Sequence, residues 1–445
     1  MAVPGWLLLS LRRRDRWIRL QLAEPAARAI FPDRLRFVFG HRECKSSAQL
    51  MSRRKSITFA CVSLLIGLIA SSVIVEAALR LFTPAWLEYR MRVLEADSRG
   101  PRFGGDGEWS VEEREGKFVR FEPHTTFSLQ HMEYNIASTI DAYGGRDVPA
   151  RRELPPGDRQ LFPVLGDSFT FGVGVDDEDT YVNILAQNLG LRLVNLGVPG
   201  SGLHEQLDIV EMRHDELGRP ERYVFAFYFG NDFADLLRSR RRFSNLGNWE
   251  PSRQESSLSR TLVAINNFVN EDAFLRQLYV IQLIKTAGLR LLDRDDVLLP
   301  TSVFRILEGE KEYIAEITAA LRKQVQRLAR FAADKNFDAV FVLIPDRFLV
   351  EDNERAHLSS YYGIEVAVDA LSRPNEIVTA ELEAAGIPFI DTTACLRESA
   401  DGRLYYVHDE HLTARGHAIL ATCVLPELER IGLRPHGAMG REDIR

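Results

Sequence analysis

An α/β fold built on a parallel sheet is predicted by three observations. Short continuous apolar runs recur along the chain at Leu161–Leu165, Leu191–Leu196, Tyr223–Phe229, Phe337–Ile344 and Ile387–Asp391. Between or after them, Thr180–Leu189, Leu203–Leu217, Lys311–Lys335, Asn375–Ala385 and Thr413–Ile431 carry the helical period. Strands that are apolar on both faces and alternate with amphipathic helices belong to a sheet covered on both sides. Turn residues follow the first three runs, so Ser168, Gly197–Gly200 and Asn231 are expected on one edge, at the carboxyl ends of the strands. Ligands gather at that edge in open parallel sheets.

The 445 residues exceed what one core normally needs, so one large domain with additions, or two domains, is expected. Residues 1–56 hold 13 Lys/Arg against 4 Asp/Glu, a net of +9 that leaves −16 for the remainder of a chain whose total is −7. An acidic remainder excludes nucleic acid and anionic membrane surface as its expected partners. Residues 1–50 are Arg-rich without sustained period, and Met51-Ser52-Arg53-Arg54-Lys55 reads as a natural start. Two readings stand there: an over-extended start, or a cytoplasmic tail.

Ile57 to Val75 is a 19-residue stretch without one charged side chain. That length crosses a ~30 Å hydrocarbon layer as a helix, whereas a buried core helix keeps a polar face. A cleaved leader, with Ala70-Ser71-Ser72 as its site, is the rival reading. Arg53-Arg54-Lys55 precedes the stretch, which puts the N-terminus in the cytoplasm and residues 83–445 outside it. The expected organisation is a basic segment 1–56, a transmembrane helix 57–82, and a turn-rich stalk 83–157 with short strands at Val119–Phe121 and Tyr134–Ile140. A main domain 158–432 with a helical insertion 233–310 and a tail 433–445 complete it. The insertion carries the basic run Arg238–Arg242, read as a solvated face or an anionic-substrate contact, and an apolar helix Phe274–Leu292.

Cys395 and Cys423 fall in the outward part, where they form an exported disulfide or two small buried apolar residues. The ten histidines show no metal-ligand spacing, and no metal or cofactor is expected. G-x-G-x-x-G, G-x-x-x-x-G-K-[ST] and G-x-S-x-G are all missing, which removes the main nucleotide-binding signatures and the lipase-type elbow.

Gly166-Asp167-Ser168-Phe169-Thr170-Phe171-Gly172 puts a hydroxyl where a buried strand ends. Asn195-Leu196-Gly197-Val198-Pro199-Gly200, then Phe229-Gly230-Asn231-Asp232, then Asp409-Glu410-His411 follow in that order. This succession resembles the SGNH, or GDSL-type, hydrolases, over residues 158 to 432. The resemblance implies a three-layer α/β/α sandwich of flavodoxin-like type, preceded here by one transmembrane helix. It also implies Ser168 as nucleophile, His411 as base and Asp409 as the carboxylate that orients it, with Ser168 N–H, Gly200 N–H and the Asn231 amide as the oxyanion hole.

The spacing departs from the commoner Asp-x-x-His of the superfamily, because His408 stands three before His411. Asp-x-His does occur in related envelope O-acetyltransferases, and alternate residues of an extended segment share one face. His408, His204 and His417 are rival histidines, the last read as a packing or capping residue on a helix. Asp167 reads as a turn-stabilising residue, and Asp141–Arg146 resembles an Asn…Gly-x-Arg segment of anchored relatives without suggesting a role. Pro163 inside the first strand calls for a bulge. The expected activity is acyl transfer through an acyl-serine on an O-acylated envelope glycan or lipid, placed at the inner membrane with its domain outside. The rivals are an O-acyltransferase fed by a multi-span membrane acyl donor and a silent glycan-binding scaffold.

Overall fold

The computed structural model describes residues 10–13, 16–19, 47–83, 102–104, 111–131, 133–154, 160–238, 268, 274–284, 303–356, 366–407 and 409–433. The chain divides into two compact units, Met1–Ser71 and Ser72–Arg445. In the first, Ser10–Arg13 pairs antiparallel with Arg16–Arg19. Helix α1 (Ser47–Leu81) contains a 20-residue window, Val62–Leu81, long and apolar enough to cross a membrane by length and composition.

The second unit is organised around five parallel strands: β1 (Phe162–Leu165), β2 (Leu193–Asn195), β3 (Arg222–Tyr228), β4 (Asp338–Ile344) and β5 (Phe389–Asp391). Their order across the sheet is β5-β4-β3-β1-β2, every described pair being parallel. The five apolar runs therefore become the five strands. Side chains alternate between two cores, as a period of two requires. Tyr223, Phe225 and Phe227 enter one; Val224, Ala226 and Tyr228 enter the other.

Helices cover both faces. The first core takes α4 (Leu203–Arg213), α5 (Lys311–Lys335) and α6 (Arg373–Ala384); the second takes α3 (Tyr181–Leu189), α7 (Thr393–Glu398) and α8 (Ala414–Arg430). In α5 the residues Tyr313, Ile317, Leu321, Val325 and Leu328 form one buried stripe at helical spacing. Each such side chain contributes about 1.5–3 kcal/mol of burial. Thr180 caps α3 through the Asn183 N–H, and Thr413 caps α8 through the Gly416 N–H. A disulfide joins Cys395 on α7 to Cys423 on α8.

Pro163 needs no bulge. Phe162 donates to Arg192 and Val164 accepts from Leu196, both on the β2 side, so the Pro163 nitrogen faces the other way. Pairing with β3 begins only at Val164. The missing donor thus falls where the ladder has not started.

The stretch expected as a stalk packs closely on the sheet domain. Thr126–Gln130 pairs antiparallel with Asn135–Thr139, and Val111–Arg114 with Lys117–Phe121. Phe118, Phe121, Leu129, Ile136 and Ile140 join the first core. Within the expected insertion, Arg238 pairs with Asp235, while residues 239–242 of the basic run lie outside the described residues. Of the expected helix Phe274–Leu292, Leu275–Gln277 forms a 3-10 turn and residues 279–284 are helical; the remainder lies outside the described residues.

Candidate active site

The strand order reverses between β1 and β3: the chain steps from β1 outward to β2, then crosses to the other side of β1. Open α/β sheets bind ligands at such a switch point. The carboxyl end of β1 leads into Gly166-Asp167 and the short helix α2 (Ser168–Phe171), whose first residue is the predicted nucleophile. Asp167 is the cap, accepting the Phe169 N–H at 2.9 Å, as a turn residue would.

The turn after β2 is stitched to this helix. Asn195 Nδ2 donates to the Thr170 carbonyl at 2.7 Å, and the Val198 N–H donates to the Gly166 carbonyl at 2.9 Å. A Cβ on Gly197 would lie 2.3 Å from the backbone nitrogen of Phe171, so only glycine permits this approach. Gly200 closes the turn at φ 72°. At the end of β3, Asn231 stands before the turn of helix Asp232–Asp235, and its Nδ2 donates to Asp235 Oδ2 at 2.9 Å. It makes no side-chain capping bond. Ser168, Gly200 and Asn231 thus stand on the carboxyl edge that the sequence predicts for them.

The structure brings the other two predicted residues to Ser168. His411 Nε2 and Ser168 Oγ are 2.8 Å apart, and His411 Nδ1 lies 2.7 Å from Asp409 Oδ2. The serine, imidazole and carboxylate form one line of hydrogen bonds, with 21% of the His411 side chain and 9% of the Asp409 side chain exposed. The segment is not extended, as the alternating-face argument supposed. Glu410 between them adopts φ 67°, and this single left-handed residue turns both neighbours to the same side. The Glu410 side chain leaves in another direction, bonded by Arg347 Nη2 at 2.6 Å.

Burial lowers the affinity of the His411 imidazole for a proton, but the charge and hydrogen bond of Asp409 outweigh it and hold its pKa above the ordinary value. Burial likewise opposes ionisation of Asp409, yet His411 keeps its carboxyl below the usual range. Both directions favour the carboxylate–imidazolium pair, the charge state that arises when His411 takes up a proton.

The rival histidines go elsewhere. His417 is buried on α8 and its Nδ1 accepts the Tyr181 N–H at 3.2 Å; burial lowers its pKa to about 3, so it is neutral. His204, in the first turn of α4, faces Glu205 at 3.3 Å. His408 lies outside the described residues. Among the described residues no group of His, Cys, Asp and Glu side chains is arranged to hold a metal ion.

One buried residue beside the site escapes sequence reasoning. Arg146, fully buried, donates to the carbonyls of Phe171 (3.0 Å), Gly172 and Val175 (2.5 Å), and its Nε to Asp177 Oδ1 at 2.8 Å. Those first two carbonyls end α2, so the guanidinium closes the helix that Ser168 opens. The Asp141–Arg146 segment held a signal, an arginine in a polar turn, but nothing in the sequence says which carbonyls it meets.

Comparison with known proteins gives two family matches: the GDSL-like lipase/acylhydrolase family over residues 164–364, and the SGNH hydrolase-like domain of the acetyltransferase AlgX over residues 292–440. No curated protein matches. Among solved structures, TesA is similar at 12% identity and a TM-score of 0.33, covering 61% of this chain and 99% of its own. A lipolytic G-D-S-L protein of Veillonella parvula is 12% identical at a TM-score of 0.32, covering 61% and 99%. A catalytic mutant of Axe2, an acetylxylan esterase of Geobacillus stearothermophilus, is 15% identical at 0.31, covering 61% and 94%.

Proposed function

The chain belongs to the SGNH hydrolase superfamily, and from that premise we propose that it is a serine esterase acting on an O-acylated, most simply acetylated, envelope glycan or lipid. The observation that carries the reading is the unbroken line from Ser168 Oγ through His411 to Asp409 at the switch point of the sheet. A serine hydroxyl becomes a nucleophile only when a base takes its proton and a partner fixes that base.

In the proposed reaction Ser168 Oγ attacks the ester carbonyl carbon while His411 Nε2 takes the hydroxyl proton. Asp409 accepts the Nδ1–H and stabilises the imidazolium that forms. The negative oxygen of the tetrahedral intermediate is held by the N–H groups of Ser168 and Gly200 and by Asn231. The Asn231 amide, which donates to Asp235 and stands against Asp167, is the one side-chain donor of the three. Collapse expels the alkoxide, which receives the proton from His411. Water then attacks the acyl-serine with His411 again as base, which releases the carboxylic acid.

A second reading rests on the AlgX-type match over residues 292–440, which includes His411 and Asp409. There a sugar hydroxyl takes the place of water, and the acyl group arrives from a multi-span membrane donor. The apolar helix window Val62–Leu81 and the Cys395–Cys423 disulfide support attachment to a membrane by one helix, with the domain in an oxidising compartment such as the periplasm. The Arg53-Arg54-Lys55 cluster supports a cytoplasmic N-terminus.

A fluorophosphonate probe tests the nucleophile: Ser168 is expected to be captured covalently, and Ser168→Ala to lose capture and at least ~10⁴ in kcat. Wild-type turnover in that variant would end the reading. Acetate release from an acetylated oligosaccharide, against transfer to an added unacetylated one, separates hydrolysis from transfer.

A further inference from the structure

Glu133 stands between the paired strands Thr126–Gln130 and Asn135–Thr139, in the part of the chain that precedes β1. Its two carboxylate oxygens accept two backbone N–H groups of the loop that carries the acid–base pair. Oε1 takes the N–H of Val407 at 2.9 Å and Oε2 the N–H of Asp409 at 2.9 Å. Only 14% of the Glu133 side chain is exposed. A carboxylate spanning two donors makes two charge-assisted bonds and fixes the peptide units between them.

The rest of the loop is held from other sides. Arg347 Nη1 donates to the Val407 carbonyl at 2.9 Å and Nη2 to Glu410 at 2.6 Å. The Tyr406 N–H donates to the His411 carbonyl at 2.8 Å, and the Tyr406 hydroxyl to the Gly174 carbonyl at 2.8 Å. None of these contacts reaches Asp409 itself. The hold on its backbone comes from Glu133, and the residue after it takes the left-handed conformation at φ 67°. A two-residue spacing between acid and histidine leaves a tight turn, in which the angle of the Asp409 peptide decides whether the carboxylate reaches Nδ1.

We propose that Glu133 is a positioning residue for the reaction: by holding the N–H groups of Val407 and Asp409 it sets the short turn in which Asp409 meets His411. The inference rests on Ser168, His411 and Asp409 acting as proposed above. It assigns the segment before the sheet a part in the chemistry.

A pH profile separates this role from that of a structural staple. His411 is faced by Asp409, Asp167 and Glu410; Asp409 by His411, His131 and Tyr134; Tyr406 stands beside Asp409 as well. Glu133 bonds the loop backbone and not the imidazole. Asp409 is the largest of the charges that raise the His411 pKa, ahead of Asp167 and Glu410, so a change in its placement reads as a shift of that pKa.

The experiment uses the full chain in detergent and the second-order rate of Ser168 capture by a fluorophosphonate from pH 5 to 9. Glu133→Gln keeps the shape but replaces one acceptor by an NH₂ that opposes an N–H. The plateau rate is expected to fall about tenfold, of the order that small displacements of reacting groups cost. The acidic limb is expected to move to lower pH, because a loosened Asp409 raises His411 less. The limb does not depend on how much protein is folded, so it reads the inference even if the variant is less stable. A wild-type plateau and limb would overturn the proposal, as would a lower melting temperature with the limb unmoved, which makes Glu133 a fold staple only. Failure of the wild type to be captured refutes the serine-nucleophile reading itself, a different result.

Discussion

Replacing Arg146 by methionine removes a charge whose every contact is visible. The guanidinium is fully buried and serves three carbonyls and the Asp177 carboxylate, which is itself only 11% exposed in its side chain. Removing one partner of a buried ion pair costs about 3–5 kcal/mol, because a charge is left alone. Orphaned carbonyls add about 1 kcal/mol or more each unless water enters. A loss of about 6–8 kcal/mol is therefore expected, and at about 2–4 °C per kcal/mol for a domain of this class the melting temperature drops by about 12–32 °C.

The deficit should depend on pH. Burial already raises the Asp177 pKa in spite of Arg146, and without the guanidinium it rises further. An acid whose folded pKa is raised contributes stability below that pKa and loses it as pH climbs through it. Arg146→Met is thus expected to be less unstable at pH 5 than at pH 8, and Asp177→Asn in the same chain to recover ~1–3 kcal/mol. Melting by differential scanning fluorimetry across that range, with the two single variants and the double, measures the coupling. A single variant melting within 2 °C of wild type, or a deficit flat in pH, would refute the assignment of Arg146 as the clasp of α2.

Two other substitutions test the site and its surroundings. Asp409→Asn is expected to lower kcat on a chromogenic ester by up to ~10⁴ near neutral pH, through the wrong imidazole tautomer. Its acidic limb should move down, since burial then acts on His411 without the carboxylate that opposes it; a loss under tenfold with an unmoved limb shows the acid dispensable, and a larger loss in His408→Ala shows the turn misassigned. Cys395→Ser with Cys423→Ser opens a loop with a sequence separation of 28 and is expected to cost about 3–4 kcal/mol, read as a lower urea midpoint. An unchanged midpoint would mean that the staple adds nothing to the fold.

The sheet was legible because its strands are apolar on both faces and short, a pattern that polar loops interrupt cleanly. Lys311–Lys335 is recovered to the residue, since its stripe from Tyr313 to Leu328 keeps helical spacing throughout. The positions of Ser168, Gly200 and Asn231 followed from the same reasoning, each being the turn after a strand. The approach of Asp409 to His411 was foreseen for the wrong reason: the two meet around a left-handed Glu410, not along an extended strand, and backbone angles of that kind leave no mark in a non-glycine residue. Glu133 and Arg146 were illegible for a different reason. Their partners are backbone groups, which every residue possesses, so neither a charge pattern nor a spacing points from one to the other.

The burial of Arg146 bears on where this protein can be cut. The two family matches begin at residues 164 and 292, and a boundary drawn from them would discard everything before β1. The contacts draw another line: the residues that bond the end of α2 and the N–H of Asp409 lie at positions 146 and 133, inside one compact unit that starts at Ser72. Likeness among relatives marks the portion of a fold that lineages share, whereas the smallest piece that keeps its shape includes whatever its buried charges require. A fragment trimmed to the shared portion would expose the carbonyls of Phe171 and Gly172 and leave Asp177 without its cation. Silence of such a fragment toward an ester would then report a missing arginine rather than a missing activity.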